Sequence, residues 1–183
     1  MAWTEPSIGA WLCRYTFQRK LLIVPNCYWT GDECDLLAVE PGLRLIDIEI
    51  KISRSDLRAD RDKDKWWDRG FGSFRDGKWE APPASAKQWP RRIWKHYYCM
   101  PASIWRPDLL DAVPTASGIL LCVGEGCQTQ IKSIRKAKPN RDAKPISAAD
   151  AIDIARLAGL RMWNALAEVE RIENVQRQER LTA

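Results

Sequence analysis

The segment from Leu43 to Ser53 alternates in the manner of a β-strand. Ile46, Ile48, Ile50 and Ile52 fall on one face, because successive side chains of a strand point to opposite faces. The other face carries two leucines and then charges, and consists of Leu43, Leu45, Asp47, Glu49, Lys51 and Ser53. Apolar residues on both faces are typical of a central strand that helices cover on both sides. Charges on such a strand therefore need a compensating group.

Patterns along the rest of the chain predict a mixed α/β (α+β) fold. The predicted helices cover 7–19, 55–67 and, after a cap at Ser147, about 147–176. The other predicted strands cover 21–29 (interrupted at Pro25), 34–40, 96–101, 118–123 and 128–135. This order, α-β-β-β-α-β-β-β-α, predicts a mixed central sheet flanked by helices, with a long C-terminal helix.

Composition narrows the class of protein. The 183 residues fit a single domain over 1–183, with its core at about 7–135. The longest apolar runs, at 21–24 and 119–123, fall far short of the ~20 residues of a membrane span, so no membrane contact is expected. The six cysteines form no C-x-x-C pair and the chain has one histidine, which argues against a zinc site. Most of the cysteines lie in apolar, strand-like segments, where a reduced cysteine packs as a small hydrophobe, so a reducing, cytoplasmic location is expected.

Basic and aromatic residues concentrate in one stretch, which is predicted to be a long loop inserted at 68–95. Residues 69–96 hold seven basic and two acidic side chains, an excess of five that equals the net charge of +5 of the whole chain. Aromatic rings beside cations are typical of surfaces that bind single-stranded or flap DNA. The predicted DNA-binding residues are Arg75, Lys78, Trp79, Lys87, Trp89, Arg91, Arg92 and Lys95. Tryptophans that fill the core beneath the loop are an equally open alternative.

Asp35, Glu49 and Lys51 are the candidate catalytic residues. The spacing of Glu49 and Lys51 puts both on one strand face. Carboxylates in an apolar sheet call for a cation, and hard cations such as Mg²⁺ or Mn²⁺ prefer carboxylate and carbonyl oxygens. The predicted metal ligands are therefore Asp35, Glu49 and the backbone carbonyl of Ile50, with Lys51 beside the attacking water and the phosphate. The alternative is a solvated ion pair on an edge strand, with Asp35 capping a turn.

The turn at Pro41-Gly42 provides a test of this hypothesis. A two-residue loop would place Asp35 opposite Ile48, so that Asp35 and Glu49 would lie on opposite faces. A shared metal site requires one more loop residue or a β-bulge.

Seven segments of the chain form a recognisable pattern, and they are Asp35-Leu-Leu-Ala-Val, Pro41-Gly42, Ile46-Asp-Ile-Glu-Ile-Lys-Ile-Ser53, Arg54–Asp60, Asp64–Trp66, Tyr97–Pro101 and Gly118–Val123. Together they resemble the core of the PD-(D/E)XK nuclease superfamily, most closely the small bacterial DNA-repair nucleases of the MmcB type. This resemblance implies a restriction-endonuclease-like αβββαβ core in which Asp35 and Glu49 bind Mg²⁺ and Lys51 assists attack of water on a phosphodiester. The chain departs from the family pattern at Cys34, where the family has proline, and in the length of 68–95.

The sequence favours a metal-dependent DNA nuclease that acts in repair, recombination or phage–host conflict. Glu5, Asp32, Glu33 or Asp47 could add a metal ligand, and Asp56, Asp64 and Lys65 could be accessory polar groups on the following helix. The alternatives are a nuclease-like fold that binds nucleic acid without cleavage and an inhibitor or adaptor. A homodimer through the C-terminal helix stays open. Glu49→Ala or Lys51→Ala is expected to abolish cleavage and to leave the fold intact.

Overall fold

The computed structural model describes residues 3–124 and 129–182. Its strands are β1 (Leu22–Cys27), β2 (Cys34–Val39), β3 (Leu45–Ile50), β4 (Trp67–Asp68), β5 (Ser73–Arg75), β6 (Lys78–Glu80), β7 (Ser85–Ala86), β8 (Ile93–Pro101), β9 (Gly118–Val123) and β10 (Gln130–Arg135). Its α-helices are α1 (Glu5–Trp11), α2 (Arg54–Asp60) and α3 (Ala148–Thr182). Residue 128 of the last predicted strand lies outside the described residues.

A six-stranded mixed sheet holds the molecule together, in the order β1-β2-β3-β8-β9-β10. β3 pairs antiparallel with β2 and parallel with β8, while β8 pairs parallel with β9. The chain order α1-β1-β2-β3-α2-β8 confirms the predicted αβββαβ core, mixed sheet and long C-terminal helix.

Both faces of β3 are covered, as predicted for a central strand. Ile48 and Ile50 pack beneath α1 on one face. On the other face Leu45 packs with Leu37 of β2 and Ile154 of α3. All six residues of β3 are buried, so its charged side chains lie inside the protein rather than on its surface.

The loop between β2 and β3 has three residues, 41–43. Glu40 donates its N–H to the carbonyl of Arg44 at 3.0 Å, and Leu43 donates its N–H to Glu40 at 2.8 Å. Leu43 adopts a φ of 55°, the left-handed conformation that closes a three-residue hairpin loop. The loop thus has the additional residue that the metal-site hypothesis requires.

The register between these strands follows from that loop. The ladder runs to the pair Leu36–Ile48, so its continuation places Asp35 across from Glu49 and not from Ile48. This is the register that a metal site shared by Asp35 and Glu49 requires.

Two predicted helices have different bounds. α1 begins at Glu5 with Thr4 as its cap, two residues before the predicted start, and continues after Trp11 as a π-helical turn over Leu12–Thr16. α2 begins after Ser53, which accepts the N–H of Asp56, and ends at Asp60. A 3₁₀ turn follows at Asp64–Trp66 in place of the predicted helix to 67. Thr4 and Ser53 cap these helices, so the helices begin two residues and one residue before the predicted starts.

Strand β1 is continuous across Pro25, contrary to the predicted interruption. Pro25 pairs with Leu36 within the β1–β2 ladder. β1 is an edge strand of the sheet, where the missing N–H of proline can face away from the ladder.

The prediction of a long loop at 68–95 was wrong. β4 pairs antiparallel with β7, and β5 pairs antiparallel with β6. β8 begins at Ile93, three residues earlier than predicted. These ladders are two or three residues long, too short to give the sequence a visible period.

Helix α3 runs from Ala148 to Thr182, six residues beyond the predicted end. Ser147 caps it as predicted, since its Oγ accepts the N–H of Asp150 at 3.1 Å. Only the first turns pack on the sheet, through Ile154, whereas Met162 and Leu166 are exposed. The apolar stripe of α3 therefore faces its own sheet only near the start of the helix. None of the described helices is long and apolar enough to cross a membrane.

Candidate active site

Asp35 is held at the point where strands β2 and β3 stop pairing. Its Oδ2 accepts the backbone N–H of Ile50 at 2.7 Å. The β2–β3 ladder ends two residues earlier, at Ile48, so this carboxylate takes the place of the next backbone acceptor. Since Ile50 separates Glu49 from Lys51, the bond fixes Asp35 beside the backbone of both predicted partners.

The surroundings of Asp35 are negative and partly buried. Burial and the negative charge of Glu49 raise the pKa of Asp35 to about 6, although the N–H of Ile50 and the charge of Lys51 act to lower it. A bound cation would favour the ionised carboxylate and so lower this pKa. A partly buried carboxylate with a raised pKa is typical of functional sites.

A cavity of about 300 Å³ opens beside Asp35, between α1 and the ends of β2 and β3. Glu5 and Ile50 also line it, together with apolar residues of α1 and β1. The negative charge of Glu5 contributes to the raised pKa of Asp35. Among the further candidate ligands, the structure thus places Glu5 beside Asp35, whereas Asp32 and Glu33 do not line this cavity.

Glu49 and Lys51 form a buried ion pair. Lys51 Nζ donates to Glu49 Oε2 at 2.8 Å, and both side chains are almost fully buried. The pair lies on a central strand, so the alternative of a solvated pair on an edge strand is wrong.

The pair belongs to a larger cluster, which we call the lysine–carboxylate cluster. Its members are Asp47, Glu49, Lys51, Asp60, Lys63 and Lys65. Lys65 Nζ lies 2.6 Å from Glu49 Oε1, and Lys63, which is half exposed, lies 3.6 Å from Oε2. Both oxygens of Glu49 are therefore contacted by lysine amino groups.

Asp60, the last residue of α2, connects the cluster. Its Oδ1 lies 3.0 Å from Lys51 Nζ and 2.8 Å from Lys63 Nζ. Its Oδ2 accepts the indole N–H of Trp66 at 3.1 Å and the hydroxyl of Tyr98. Although burial acts to raise it, the pKa of Asp60 is well below the usual range, because the charges of Lys65 and Lys51 stabilise the carboxylate. Asp60 is thus a fixed negative charge that positions Lys51.

Lys51 keeps its positive charge at neutral pH. Burial acts to lower its pKa, but the negative charges of Glu49 and Asp60 more than offset this and hold the pKa above the usual range. Lys51 can therefore stabilise negative charge and orient water, but it does not act as a general base.

Asp47 is a buried member of the cluster and does not line the cavity. Its Oδ2 is 3.8 Å from Lys65 Nζ and 3.6 Å from His96 Nε2, and neither carboxylate oxygen accepts a hydrogen bond from the residues that the structure describes. Burial raises its pKa to about 7. The pKa of His96 is far below its usual value, because burial and the charge of Lys65 disfavour the imidazolium. Ser117 Oγ lies 2.9 Å from His96 Nδ1. This group is sealed in the core.

The donors for a divalent cation are present only in part. Within 3–124 and 129–182, no group of three His, Cys, Asp or Glu side chains is arranged to hold a metal ion. Asp35, Glu5 and Ile50 line one cavity, and its two carboxylates are of the kind that Mg²⁺ prefers, whereas Glu49 and Lys51 do not line it. Glu49, the third predicted ligand, already has both of its oxygens in contact with Lys51 and Lys65.

The predicted DNA-binding residues divide into separate regions. Lys78 and Trp79 lie on the exposed strand β6, where Arg75 pairs with Lys78 in the backbone register. Lys87 donates its N–H to the carbonyl of Trp66 at 2.8 Å, which places it near the cluster.

The remaining members of that set lie elsewhere. Trp89 donates its indole N–H to the carbonyl of Lys138 at 3.0 Å, so this tryptophan is docked on the protein. Arg91 and Arg92 precede β8, and Lys95 pairs with Ile46, near the start of β3 and thus at the opposite end from Glu49. The basic excess of 69–96 is therefore not a single surface.

Sequence reasoning missed Asp60 and Lys63, and it included Lys65 only as an accessory group. One signal was present: Asp56 and Asp60 are four residues apart on a helix, and Lys51 Nζ lies 4.0 Å and 3.0 Å from them. Asp64 proved to be a surface residue that contacts Arg69 at 2.8 Å.

Neither a family model nor a curated protein matches this chain. A solved structure, the SPO1766 protein of unknown function from Silicibacter pomeroyi, is similar to it with a TM-score of 0.51. The similarity covers 91% of this chain and 90% of that one, at 14% sequence identity. At this identity it shows a shared fold alone.

Proposed function

We propose that the protein is a metal-dependent nuclease that hydrolyses phosphodiester bonds of DNA, in repair, recombination or phage–host conflict. One observation carries this proposal: the Asp35 carboxylate is bonded to the backbone between Glu49 and Lys51, beside a cavity that Glu5 also lines. The αβββαβ order and the three-residue loop support it, because they give these residues the register that the chemistry needs.

Asp35, Glu5 and the carbonyl of Ile50 would hold Mg²⁺ or Mn²⁺, and Glu49 would join them if it left its contacts with Lys51 and Lys65. Such an ion lowers the pKa of a bound water and neutralises charge on the phosphate. The chain itself supplies the fixed positive charge of Lys51, which stabilises negative charge that develops on the phosphate. Asp60 holds Lys51 in place and keeps it protonated.

A second candidate is a nuclease-like fold that binds nucleic acid without cleaving it. The contacts of Lys51 and Lys65 with the two oxygens of Glu49 favour it, because these lysines already neutralise the carboxylate that a metal would need.

Cleavage assays separate the two candidates. The purified protein is incubated with labelled single-stranded, duplex and flap DNA, with Mg²⁺, with Mn²⁺ and with EDTA. Products are expected only with a metal ion. Asp35→Asn is expected to lower the cleavage rate at least roughly 100-fold, because it removes a negative ligand from the cavity.

Asp108→Asn is the matched control, since this exposed carboxylate forms an ion pair with Arg58, at 3.2 Å, on the protein surface. It is expected to cleave at the wild-type rate. Metal-independent products, or equal rates for Asp35→Asn and the wild type, would contradict the nuclease assignment. Salt-sensitive DNA binding with no product under any metal condition would instead support the second candidate.

A further inference from the structure

Two segments that are distant in the chain lie side by side. One is 89–95, which leads into β8, and the other is 136–144, which connects β10 to α3. Asn140 of the second segment donates its N–H to the carbonyl of Trp94 at 2.7 Å and its side-chain Nδ2 to the carbonyl of Ile93 at 3.2 Å. The two segments therefore form one piece of surface, and it lies at the end of the sheet where β3 begins.

The paired segments concentrate positive charge. In 16 residues they hold seven basic side chains and one acidic side chain, an excess of six that is larger than the net charge of +5 of the whole chain. Arg92 and Lys144, one from each segment, line the same cavity of about 420 Å³. Asp142 and Asp150 also line it, and Asp150 caps α3 by accepting from Ser147. Six of the basic side chains are exposed, and we call them the basic surface: Arg91, Arg92, Lys136, Lys138, Arg141 and Lys144.

The cations of the basic surface have no counter-charge. No carboxylate of the described residues lies within ion-pair distance of any of the six. Exposed arginines elsewhere do have partners, since Arg58, Arg69 and Arg171 each contact a carboxylate at 3.2 Å or less. Like charges that are held together without counter-charges repel one another and lower the stability of the folded state. A bound polyanion removes this cost.

The tryptophan rings at this surface are engaged by the protein itself. Lys95 Nζ lies 4.1 Å from the centre of the Trp94 ring, and the guanidinium of Arg92 lies 5.1 Å from the centre of the Trp29 ring. Trp89 is docked through its indole N–H. The rings thus hold cations in place by cation–π contacts rather than offering open faces on which unpaired bases could stack.

The chemistry of the basic surface favours the phosphate backbone of duplex DNA as its occupant. In the described structure neither segment has an exposed large hydrophobic side chain, whereas membrane binding and protein hot spots depend on apolar or aromatic side chains. Single-stranded nucleic acid usually adds stacked bases to its phosphate contacts. Duplex DNA carries one negative charge per about 1.7 Å of its axis, so it offers a dense array of phosphates to unpaired cations.

We propose that the basic surface binds duplex DNA through its phosphates, without reading the base sequence. The surface lies where β3 begins, whereas Asp35 lies across from Glu49 near the end of β3, so it is separate from the candidate active site. The binding does not rest on the proposed function, and it needs no metal ion.

Binding is tested by fluorescence anisotropy with a fluorescein-labelled duplex of mixed sequence, in EDTA, at KCl concentrations from about 50 to 200 mM. Lys138→Gln, Arg141→Gln and Lys144→Gln combined are expected to raise the Kd about tenfold or more at the middle of this range. The slope of log Kd against log salt should become shallower by about 2–3, because each lost phosphate contact removes about 0.9. Arg91→Gln combined with Arg92→Gln, on the other segment, should change both quantities in the same direction.

The matched control removes three positive charges that already have carboxylate partners. It combines Arg58→Gln, Arg69→Gln and Arg171→Gln, so the net charge changes by the same amount while the basic surface stays intact. Its Kd should stay within about twofold of the wild-type value. Equal weakening in the control and in the Lys138, Arg141 and Lys144 variant would overturn the proposal, because the net charge alone would then account for binding.

Three further outcomes would also overturn it: an unchanged Kd in both variants of the basic surface, tighter binding of single-stranded than of duplex DNA of the same length, or binding to phosphatidylserine vesicles without binding to DNA. The substituted side chains are exposed, so the thermal unfolding midpoint of each variant should not fall. Loss of duplex binding in the variants, with no metal-dependent product from the wild type, would support this inference and reject the nuclease assignment.

Discussion

Lys51→Met is expected to lower metal-dependent DNA cleavage by roughly 10²–10³-fold, the usual effect of removing a group that stabilises transition-state charge. The structure adds a second consequence. Lys51 is buried between Glu49 and Asp60, so its removal leaves two buried carboxylates with one partner fewer. We therefore expect Lys51→Met, like the alanine variants of Lys51 or Glu49, to lose stability as well. The expectation from sequence that Glu49→Ala or Lys51→Ala would leave the fold intact is revised by this burial.

A double variant separates activity from stability. Glu49→Gln combined with Lys51→Met replaces the buried ion pair by neutral groups of similar size, which is often neutral or stabilising where one replacement alone is costly. Its free energy of unfolding in urea should lie closer to the wild type than that of Lys51→Met, while its cleavage rate stays at the level of the single variant. Recovered cleavage in the double variant would show that neither Glu49 nor Lys51 takes part in the reaction except through stability.

The strand that carries Glu49 and Lys51 could be predicted because alternation is a local property. Ile46, Ile48 and Ile50 fix one face, and the charges then occupy the other. The three-residue loop could be predicted only from the requirement that Asp35 and Glu49 share a metal site, since no pattern in residues 40–44 distinguishes it from a two-residue turn. The left-handed conformation of Leu43 is an unusual choice for a leucine, and the sequence carries no sign of it.

The partners of Glu49 depend on contacts between distant parts of the chain. Asp47 and Glu49 pair with His96 and Tyr98 because β3 and β8 are parallel and in that register. Periodicity gives no information about which of two strands lies beside the other or by how many residues they are offset. The hairpin of β5 and β6 is different: Asp76-Gly77 is a strong local turn signal, and the hairpin was missed because strands of three residues show no period.

Asp60→Asn is expected to lower the free energy of unfolding by about 3–5 kcal/mol, the usual cost of removing one partner from a buried ion pair. Asparagine keeps an oxygen that can accept from Trp66 and Tyr98, but it no longer balances the charges of Lys51 and Lys63. Urea unfolding at neutral pH measures the difference. Asp108→Asn, which removes an exposed carboxylate, should cost less than about 1 kcal/mol. Equal losses in both variants would show that the buried lysines find other partners.

The pH dependence of the stability difference between wild type and Asp60→Asn shows whether the negative charge of Asp60 causes it. Asp60 has a lower pKa in the folded protein than its usual 3.8, so the unfolded chain binds more protons as the pH falls below about 4. The stabilisation from Asp60 is therefore present above this pH and is lost as the pH falls toward the folded pKa. The difference in the free energy of unfolding between wild type and Asp60→Asn should therefore shrink below about pH 4. A difference that stays unchanged there would mean that lost packing or hydrogen bonds, and not charge, account for it.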